Sequence, residues 1–235
     1  ATNTVLHKVA TNGGQIYGLE ISANGQRVYV TNSGKNTVSV IDTAAATPTL
    51  IATIAVGSQP RGIAIAGNRL YVANWGSGTV SVIDTTTNAA VRGPITVGAN
   101  PSDLAVSADG RRILSGGQAN LVQLWDLGSG KEVPFPGQAH RGGVMDVAFL
   151  PGDRKAVAAG RVWDITFRVW QLPDPSSPEK EKSDEVRQFE GPTVLANRLA
   201  ISPDGKYVAA GYGGVLQDDV WVRDGEDFSV RIWEI

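Results

Sequence analysis

His7 and His140 are the only histidines in this chain, and there is no cysteine. A catalytic zinc takes three protein ligands and a structural one takes four. Two histidines from distant sequence contexts do not make such a set, and the missing thiols remove disulfides, thiolate metal sites and cysteine nucleophiles. No G-x-S-x-G elbow, P-loop, dinucleotide fingerprint or H-E-x-x-H occurs. Ser129, in GSGKE, lies in a Gly-rich turn before a strand-like segment, with no following helix to present amides to a phosphate. Asp218, Asp219, Asp224, Glu226 and Asp227 are acidic enough for calcium, but Val220-Trp221-Val222-Arg223 breaks the regular short spacing that a calcium loop needs. No metal or cofactor is expected. What remains is a set of charged residues, Glu20, Arg61, Asp103, Asp146 and Arg198, each within a short segment otherwise made of small and apolar residues.

The elements that would position this set come from a repeat. NTVSVID ends at Asp42, GTVSVID at Asp84 and NLVQLWD at Asp126, two steps of 42 residues. The motif returns as TFRVWQ, 45 residues on at Gln171, and as FSVRIWE, a further 63 on at Glu234, a step that must contain an insertion. Two strand-like segments precede each copy. The first reads YGLEIS, RGIAIA, SDLAVS, MDVAFL and NRLAIS; the second reads RVYVTN, RLYVAN, RILSGG, KAVAAG and KYVAAG. Asn24-Gly25, Asp109-Gly110 and Asp204-Gly205 join three of these pairs and read as two-residue hairpins with positive φ at both central positions. A looser fourth segment follows the third: TLIATIAV, the stretch around Val91–Val97, KEVPF and EVRQFE.

Four strands per unit of about 40 residues is the period of a propeller blade. The pattern predicts an all-β, five-bladed β-propeller with four antiparallel strands per blade in a single domain. Its blades are 12–57, 58–98, 99–137, 138–191 and 192–235, with Thr4–Val9 completing the fifth beside Phe228–Ile235 and so closing the ring and removing exposed edges. VWVRD, inside 212–227, is an alternative third strand for blade five. The Asp174–Glu185 insertion reads as an outer loop. In such a ring the charged set lies toward the axis, where charge is costly unless hydrated or paired. That place suits either a wet channel with internal ion pairs or a pocket for a small polar ligand.

Composition agrees with short strands and tight turns: 28 Gly, 12 Pro and no long apolar run. A net charge of −2 gives no basic footprint for nucleic acid or an anionic membrane, and no stretch approaches a spanning helix. The start, ATNTVLHKVA, lacks the three regions of a signal peptide.

Tyr29-Val-Thr-Asn32 and Tyr71-Val-Ala-Asn74, each followed by TVSVIDT or its close copy, resemble the YVTN repeat of archaeal and bacterial surface and secreted propellers over about residues 1–107. From about residue 108 the chain resembles the WD-repeat family, most clearly through His140, VMDVAFLPGD, AVAAG and Asp164-Ile-Thr-Phe-Arg-Val-Trp170. The second resemblance implies a buried tetrad of His, Ser or Thr, Asp and Trp. His140, Asp164 and Trp170 take three of its places, and Ala158 or Ala159 stands at the hydroxyl's. Blade five keeps Asp227 and Trp233, and blade three keeps Trp125. The change of pattern inside blade three suits recombination between fragments of two parents, with an engineered origin preferred. Apolar exchange such as Ile41 and Ile83 for Trp125, Trp170 and Trp233 is tolerated when volume and pattern are kept.

These observations lead to a non-catalytic, monomeric propeller scaffold, a hybrid without a strongly evolved ligand site. A WD-type module binding protein or peptide on a ring face is the first alternative. The second, implied by the YVTN resemblance, is an extracytoplasmic propeller with a small ligand or redox group on the axis. That chemistry calls for axial His or cation clusters, which two scattered histidines do not supply. Trp75, Trp163 and Trp221 lie in or beside loops after second strands and suit either binding or packing.

Overall fold

The structure is a computed structural model. It describes residues 4–11, 13–134, 140, 142–160, 166–174, 185–190, 196–212, 215–217, 220–222 and 230–235. The described residues contain strands and turns and no helix. They divide into two compact units, Ala1–Gly98 and Ala99–Ile235.

In the first unit, β1 (Ile16–Ile21), β2 (Arg27–Asn32), β3 (Thr37–Asp42) and β4 (Thr49–Ala55) form one antiparallel sheet in that order. The second sheet repeats it with β5 (Pro60–Ala66), β6 (Arg69–Asn74) and β7 (Thr79–Asp84). Its fourth strand is split into β8 (Ala89–Ala90) and β9 (Ile95–Thr96), both paired with β7. Between them lies Arg92-Gly93-Pro94, where proline has no N–H to give the ladder.

The second unit holds β10 (Pro101–Val106), β11 (Arg112–Gly117), β12 (Val122–Asp126) and β13 (Glu132–Val133) as one sheet. A second sheet has β14 (Val144–Phe149), β15 (Lys155–Gly160), β16 (Thr166–Gln171) and β17 (Glu185–Glu190). In the third, β18 (Ala196–Ile201), β19 (Tyr207–Tyr212) and β22 (Val230–Glu234) pair in that order, while β20 (Val215–Gln217) and β21 (Val220–Val222) form a separate hairpin. The third strand of this last repeat is therefore β22, and Val220–Val222 of VWVRD lies in the side hairpin.

The faces of the sheets follow the period-2 alternation of each strand. Tyr29, Val38, Val40 and Ile54 of the first sheet pack on Ile63, Leu70 and Ile83 of the second. In the second unit, Leu114, Val122 and Leu124 pack on Val144, Val147, Ala156 and Trp170. Val157, Phe167, Val169 and Phe189 in turn meet Val208, Leu199, Ile201 and Trp233. Each fully buried Val, Leu or Ile contributes about 1.5–3 kcal/mol. One change, Ile83 to Trp at the equivalent places, is absorbed in the same inter-sheet layer.

Among the described residues Thr4–Val9 lies outside any strand, with Val5 77% and Leu6 81% exposed, and β22 ends a sheet of three strands. Val5 and Leu6 are adjacent where a strand needs alternation, so nothing in the segment pins a register. The hairpin turns differ from those expected. Gly25, Gly110 and Gly205 have φ of 68°, 67° and 71°, but Asn24, Asp109 and Asp204 are not left-handed. In each turn the Asn or Asp Oδ1 accepts from a Ser hydroxyl two residues back and from the amide two residues on. The glycine amide donates to the Ser carbonyl. This is a type I turn closed by a left-handed glycine.

Candidate functional site

Each innermost strand carries a β-bulge near its start: between Ile16 and Leu19, Pro60 and Ile63, Pro101 and Asp103, Val144 and Asp146, and Ala196 and Arg198. A bulge sets two residues against one and re-aims a side chain. The charged set sits at or just after these bulges, which is why charged residues can occupy strands otherwise made of small and apolar ones.

In the second unit three of the set come together. Arg198 Nη1 lies 3.5 Å from Asp103 Oδ1 and 3.6 Å from Asp146 Oδ1, with both carboxylates buried and Arg198 63% exposed along its side chain. Val147 N donates to Asp103 Oδ2 at 3.4 Å, and Leu199 N donates to Asp146 Oδ2 at 2.7 Å. Each aspartate thus ties its own sheet to the innermost strand of the next. Both carboxyls face the same Arg198 nitrogen. Desolvation, followed by hydrogen bonding to and charge from the neighbouring Asp146 carboxyl, pushes Asp103 well above the usual carboxylate range; Arg198 and the Val147 amide oppose the shift without cancelling it. Burial works against the Arg198 cation, but the two aspartates hold its pKa above the ordinary value. The arrangement sets two buried carboxyls against one cation.

In the first unit Glu20 and Arg61 serve separate ends. Glu20 is half-buried, and desolvation raises its pKa. The Arg61 guanidinium lies over the Tyr17 ring at 4.8 Å and over the Trp75 ring at 4.1 Å. The equivalent places to Asp103 and Asp146 are Gly18 and Gly62, so no carboxyl links these sheets. Thr31 does so instead: its hydroxyl accepts from Gly18 N at 2.7 Å and donates to the Arg61 carbonyl at 2.9 Å.

His140 is fully buried, edge-on to Trp170 at 5.8 Å between ring centres. Its backbone amide donates to Asn120 O at 2.7 Å. Trp233 lies edge-on to Phe167 at 4.6 Å. Asp164, Trp163, Asp227 and the other acidic residues of the last insertion lie outside the described residues, as does 175–184. His7 is exposed on the unpaired N-terminal segment. Among the described residues no group of three or more His, Asp or Glu could hold a metal ion.

Sequence reasoning missed several polar partners. Trp125 Nε1 donates to Ser115 Oγ at 2.9 Å, so the third repeat keeps a hydroxyl as well as its Trp. Ser115 stands two residues past Ile113, which pairs with Trp125, as Ala158 stands two past Ala156, which pairs with Trp170. Ala158 therefore occupies the hydroxyl's place in the fourth repeat. Asn32 Nδ2 donates to Thr37 and Ser39, and Asn74 Nδ2 to Thr79 and Ser81, at 3.1 and 2.9 Å in each case. The identical Asn-x4-Thr-x-Ser spacing in the two repeats was the available signal.

Residues 5–96 match the description "Lactonase, 7-bladed beta-propeller", and residues 95–126 and 183–234 match "WD domain, G-beta repeat". The chain resembles two β-propeller families. Its all-β, propeller-like fold is shared with a chain of Kuenenia stuttgartiensis hydrazine synthase (22% identity, TM-score 0.72, 99% of this propeller and 65% of that chain). A chain of the mitotic checkpoint complex gives 20% identity and a TM-score of 0.75 over 94% of this propeller and 61% of that chain. Protein transport protein sec13 of Aspergillus fumigatus is 33% identical over 131 residues, 52% of the propeller and 41% of the relative. Sec13 of Aspergillus oryzae gives the same identity over 42% of its length. The chain thus spans about two-fifths of the curated relatives it matches.

Proposed function

We propose that this chain is a protein-interaction propeller of five blades whose buried polar groups serve the frame and not a reaction. The blades are the five repeats at 12–57, 58–98, 99–137, 138–191 and 192–235. The observation that carries the reading is the cluster in which the Arg61 guanidinium lies over the Tyr17 and Trp75 rings, with Tyr17 partly exposed. Arg, Tyr and Trp dominate binding hot spots because they combine large contact area with fixed polar edges. The WD match and the sec13 relatives support the same reading. The polar residues best suited to chemistry are engaged elsewhere: Asp103 and Asp146 accept inter-sheet amides, and His140 is enclosed. The change of family near residue 95 supports a hybrid built from fragments of two propeller lineages.

The test is an NMR titration of the chain with a panel of peptides differing in charge and aromatic content. Saturable shifts at Tyr17 and Trp75 are expected, and a panel that leaves every resonance unmoved overturns the interaction reading. A second reading, an enzyme, draws on the Asp103–Asp146 carboxyl pair. That pair lies outside residues 5–96, which carry the lactonase likeness. Hydrolysis of a γ- or δ-lactone above background, lost in Asp146→Asn, would replace the non-catalytic reading.

A further inference from the structure

The first residue of the second strand holds one register place in three repeats: Arg27 opposite Asp42, Arg112 opposite Asp126 and Lys155 opposite Gln171. Arg27 Nη1 donates to Thr85 O of the next repeat. Arg112, only 4% exposed, donates from Nη2 to Asp153 O at 2.7 Å and from Nη1 to Pro173 O at 3.2 Å. Its guanidinium also lies 5.8 Å from the centre of the Phe149 ring. Between the third and fourth repeats, then, a basic stem is buried and its planar head is held by carbonyls.

The seam between the fourth and fifth repeats has an equivalent carbonyl and lacks the head. Asp153 and Gly205 hold one place in their turns. Both are left-handed, at φ 56° and 71°, and their amides donate to Leu150 O and Ser202 O three residues back. Asp153 O takes Arg112, whereas among the described residues no group donates to Gly205 O. Lys155 is exposed, and its ammonium makes no hydrogen bond or ion pair among the described residues. A cavity of about 200 Å³ lies at this seam, lined by the buried Leu150, Val169 and Phe189 and by Lys155, Asp204 and Gly205. That is below the roughly 300–1,000 Å³ of a pocket for a drug-sized ligand, so its occupant is the size of one side chain. Gly205 already approaches Pro151, where a Cβ would lie 3.0 Å from Cδ, so the turn cannot move inward to close the space.

The charges around the cavity admit a cation. Hydrogen bonds from the Ser202 hydroxyl and the Lys206 amide hold the Asp204 pKa below its ordinary value, so this carboxylate is ionised at neutral pH. Lys206 Nζ lies 3.8 Å from it with both side chains more than half exposed, a surface pair worth little. Arg154, which also lines the cavity, is paired with Asp174. Lys155 opposes a cation, but its stem can carry the ammonium out into water.

We infer that this cavity is an open arginine slot that takes an alkylguanidinium group, carried by a partner's arginine or by a free small molecule. The alkyl stem lies on Leu150, Val169 and Phe189, and the planar head donates to Gly205 O as Arg112 does to Asp153 O. The slot does not depend on the Tyr17 cluster, so either can fail alone. Calorimetry with n-butylguanidinium, an amide-capped peptide with a central Arg and its Lys counterpart separates the cases. The first two should bind the wild-type chain. Lys for Arg should weaken the peptide about tenfold, the loss of one charge-assisted hydrogen bond of the fork. Lys155→Met keeps a long stem without the like charge and should tighten n-butylguanidinium about five-fold, the value of one contact between charges about 4 Å apart in water. Lys155→Arg places the chain's own guanidinium in the slot, and should abolish binding of both ligands and raise the denaturation midpoint.

Absence of n-butylguanidinium binding to both the wild-type chain and Lys155→Met overturns the slot, as does binding that Lys155→Arg leaves unchanged. Equal affinity for the Arg and Lys peptides overturns the planar fit on which it rests. Binding of n-butylguanidinium, lost in Lys155→Arg, with neither peptide bound keeps the slot and assigns it to a free small molecule. Circular dichroism of both variants confirms that the sheets remain.

Discussion

The two units build the same sheet from the same apolar pattern but fasten it with opposite kinds of polar group. In Ala1–Gly98 the fasteners are neutral. Thr31 bridges Gly18 N and Arg61 O, while Asn32 and Asn74 each span two hydroxyls of the neighbouring strand. In Ala99–Ile235 the equivalent inter-sheet links are carboxyls, Asp103 to Val147 N and Asp146 to Leu199 N, with Arg198 beside both. Other devices are common to both. The first residue of the second strand is Arg27 in one unit, donating to Thr85 O, and Arg112 in the other, donating to Pro173 O and Asp153 O. Both arginines reach carbonyls of the following repeat. Apolar faces, a bulge in the innermost strand and the glycine turn specify the sheet. The polar fasteners are exchangeable parts set into it.

The largest expected effect tests whether the two units are also separate in stability. Trp170 and Ile83 hold equivalent places in their inter-sheet layers, both essentially fully buried. Trp170→Ala should destabilise by about 3–5 kcal/mol and Ile83→Ala by about 2–5 kcal/mol. Hydrogen exchange with mass spectrometry should show each loss confined to its own unit. Protection falling equally across the whole chain in either variant would break the division.

The fasteners come next. Asn74→Ala removes two side-chain hydrogen bonds and strands the Ser81 hydroxyl, Thr79 keeping its contact with Ser77, while Ser115→Ala strands the Trp125 indole N–H. Each should cost about 1–3 kcal/mol by denaturant titration. Equal costs would mean that the two units rely to the same degree on this layer. A much smaller loss at Ser115 would mean that the second unit relies more on Trp packing.

The turns give a finer contrast. Gly25 and Gly205 close the same kind of turn at φ 68° and 71°, but a Cβ at residue 25 meets nothing within 4 Å, whereas one at 205 meets Pro151 Cδ at 3.0 Å. Gly25→Ala should cost about 1 kcal/mol from the left-handed backbone alone. Gly205→Ala should cost about 2 kcal/mol, because the proline ring is rigid and must also shift. Matching losses would show that the Pro151 approach relaxes freely.

How much of this was legible depends on whether the signal was periodic or pairwise. The strand positions were written in the repeat: RVYVTN, RLYVAN, RILSGG and KAVAAG coincide with β2, β6, β11 and β15. KYVAAG is offset by one residue, since β19 begins at Tyr207, because its partner is chosen by Val208 facing Trp233. The turn glycines were visible, but the turn type was not. It depends on side-chain bonds from Ser22, Ser107 and Ser202 that no dipeptide rule contains. Among the charged residues, the sequence marked the positions without the pairings. Register and bulge together decide that Asp103, Asp146 and Arg198 meet while Arg61 turns to two rings. Thr4–Val9 shows the opposite case: its place in the repeat suggested a strand, and its apolar pattern, with Val5 and Leu6 adjacent, pins no register.

The smallest effect should be the most diagnostic of the charged fasteners. Asp103 has its pKa raised in the folded chain by desolvation and by the neighbouring Asp146 carboxyl. A carboxyl with a raised folded pKa binds more protons folded than unfolded at any pH between the two values. Its contribution is therefore full below the ordinary carboxylate pKa of about 4 and is lost as pH rises through the folded value. Asp109 and Asp204 run the other way. Hydrogen bonds from Ser107 and Ser202 help hold their pKa values low, so their contributions fade as pH falls. The difference between the wild-type chain and Asp103→Asn isolates the one from the other. Asn can still accept from Val147 N and puts no charge beside Asp146, so it mimics the protonated Asp103 at every pH. The variant should match wild type near pH 4 and exceed it by about 1 kcal/mol at neutral pH, the net value of one hydrogen bond. The same pH series on Asn74→Ala should shift wild-type stability by a constant amount, because no proton is involved. A parallel offset for Asp103→Asn as well would mean that Asp103 is ionised beside Arg198 throughout. The second unit would then be fastened by a plain ion pair.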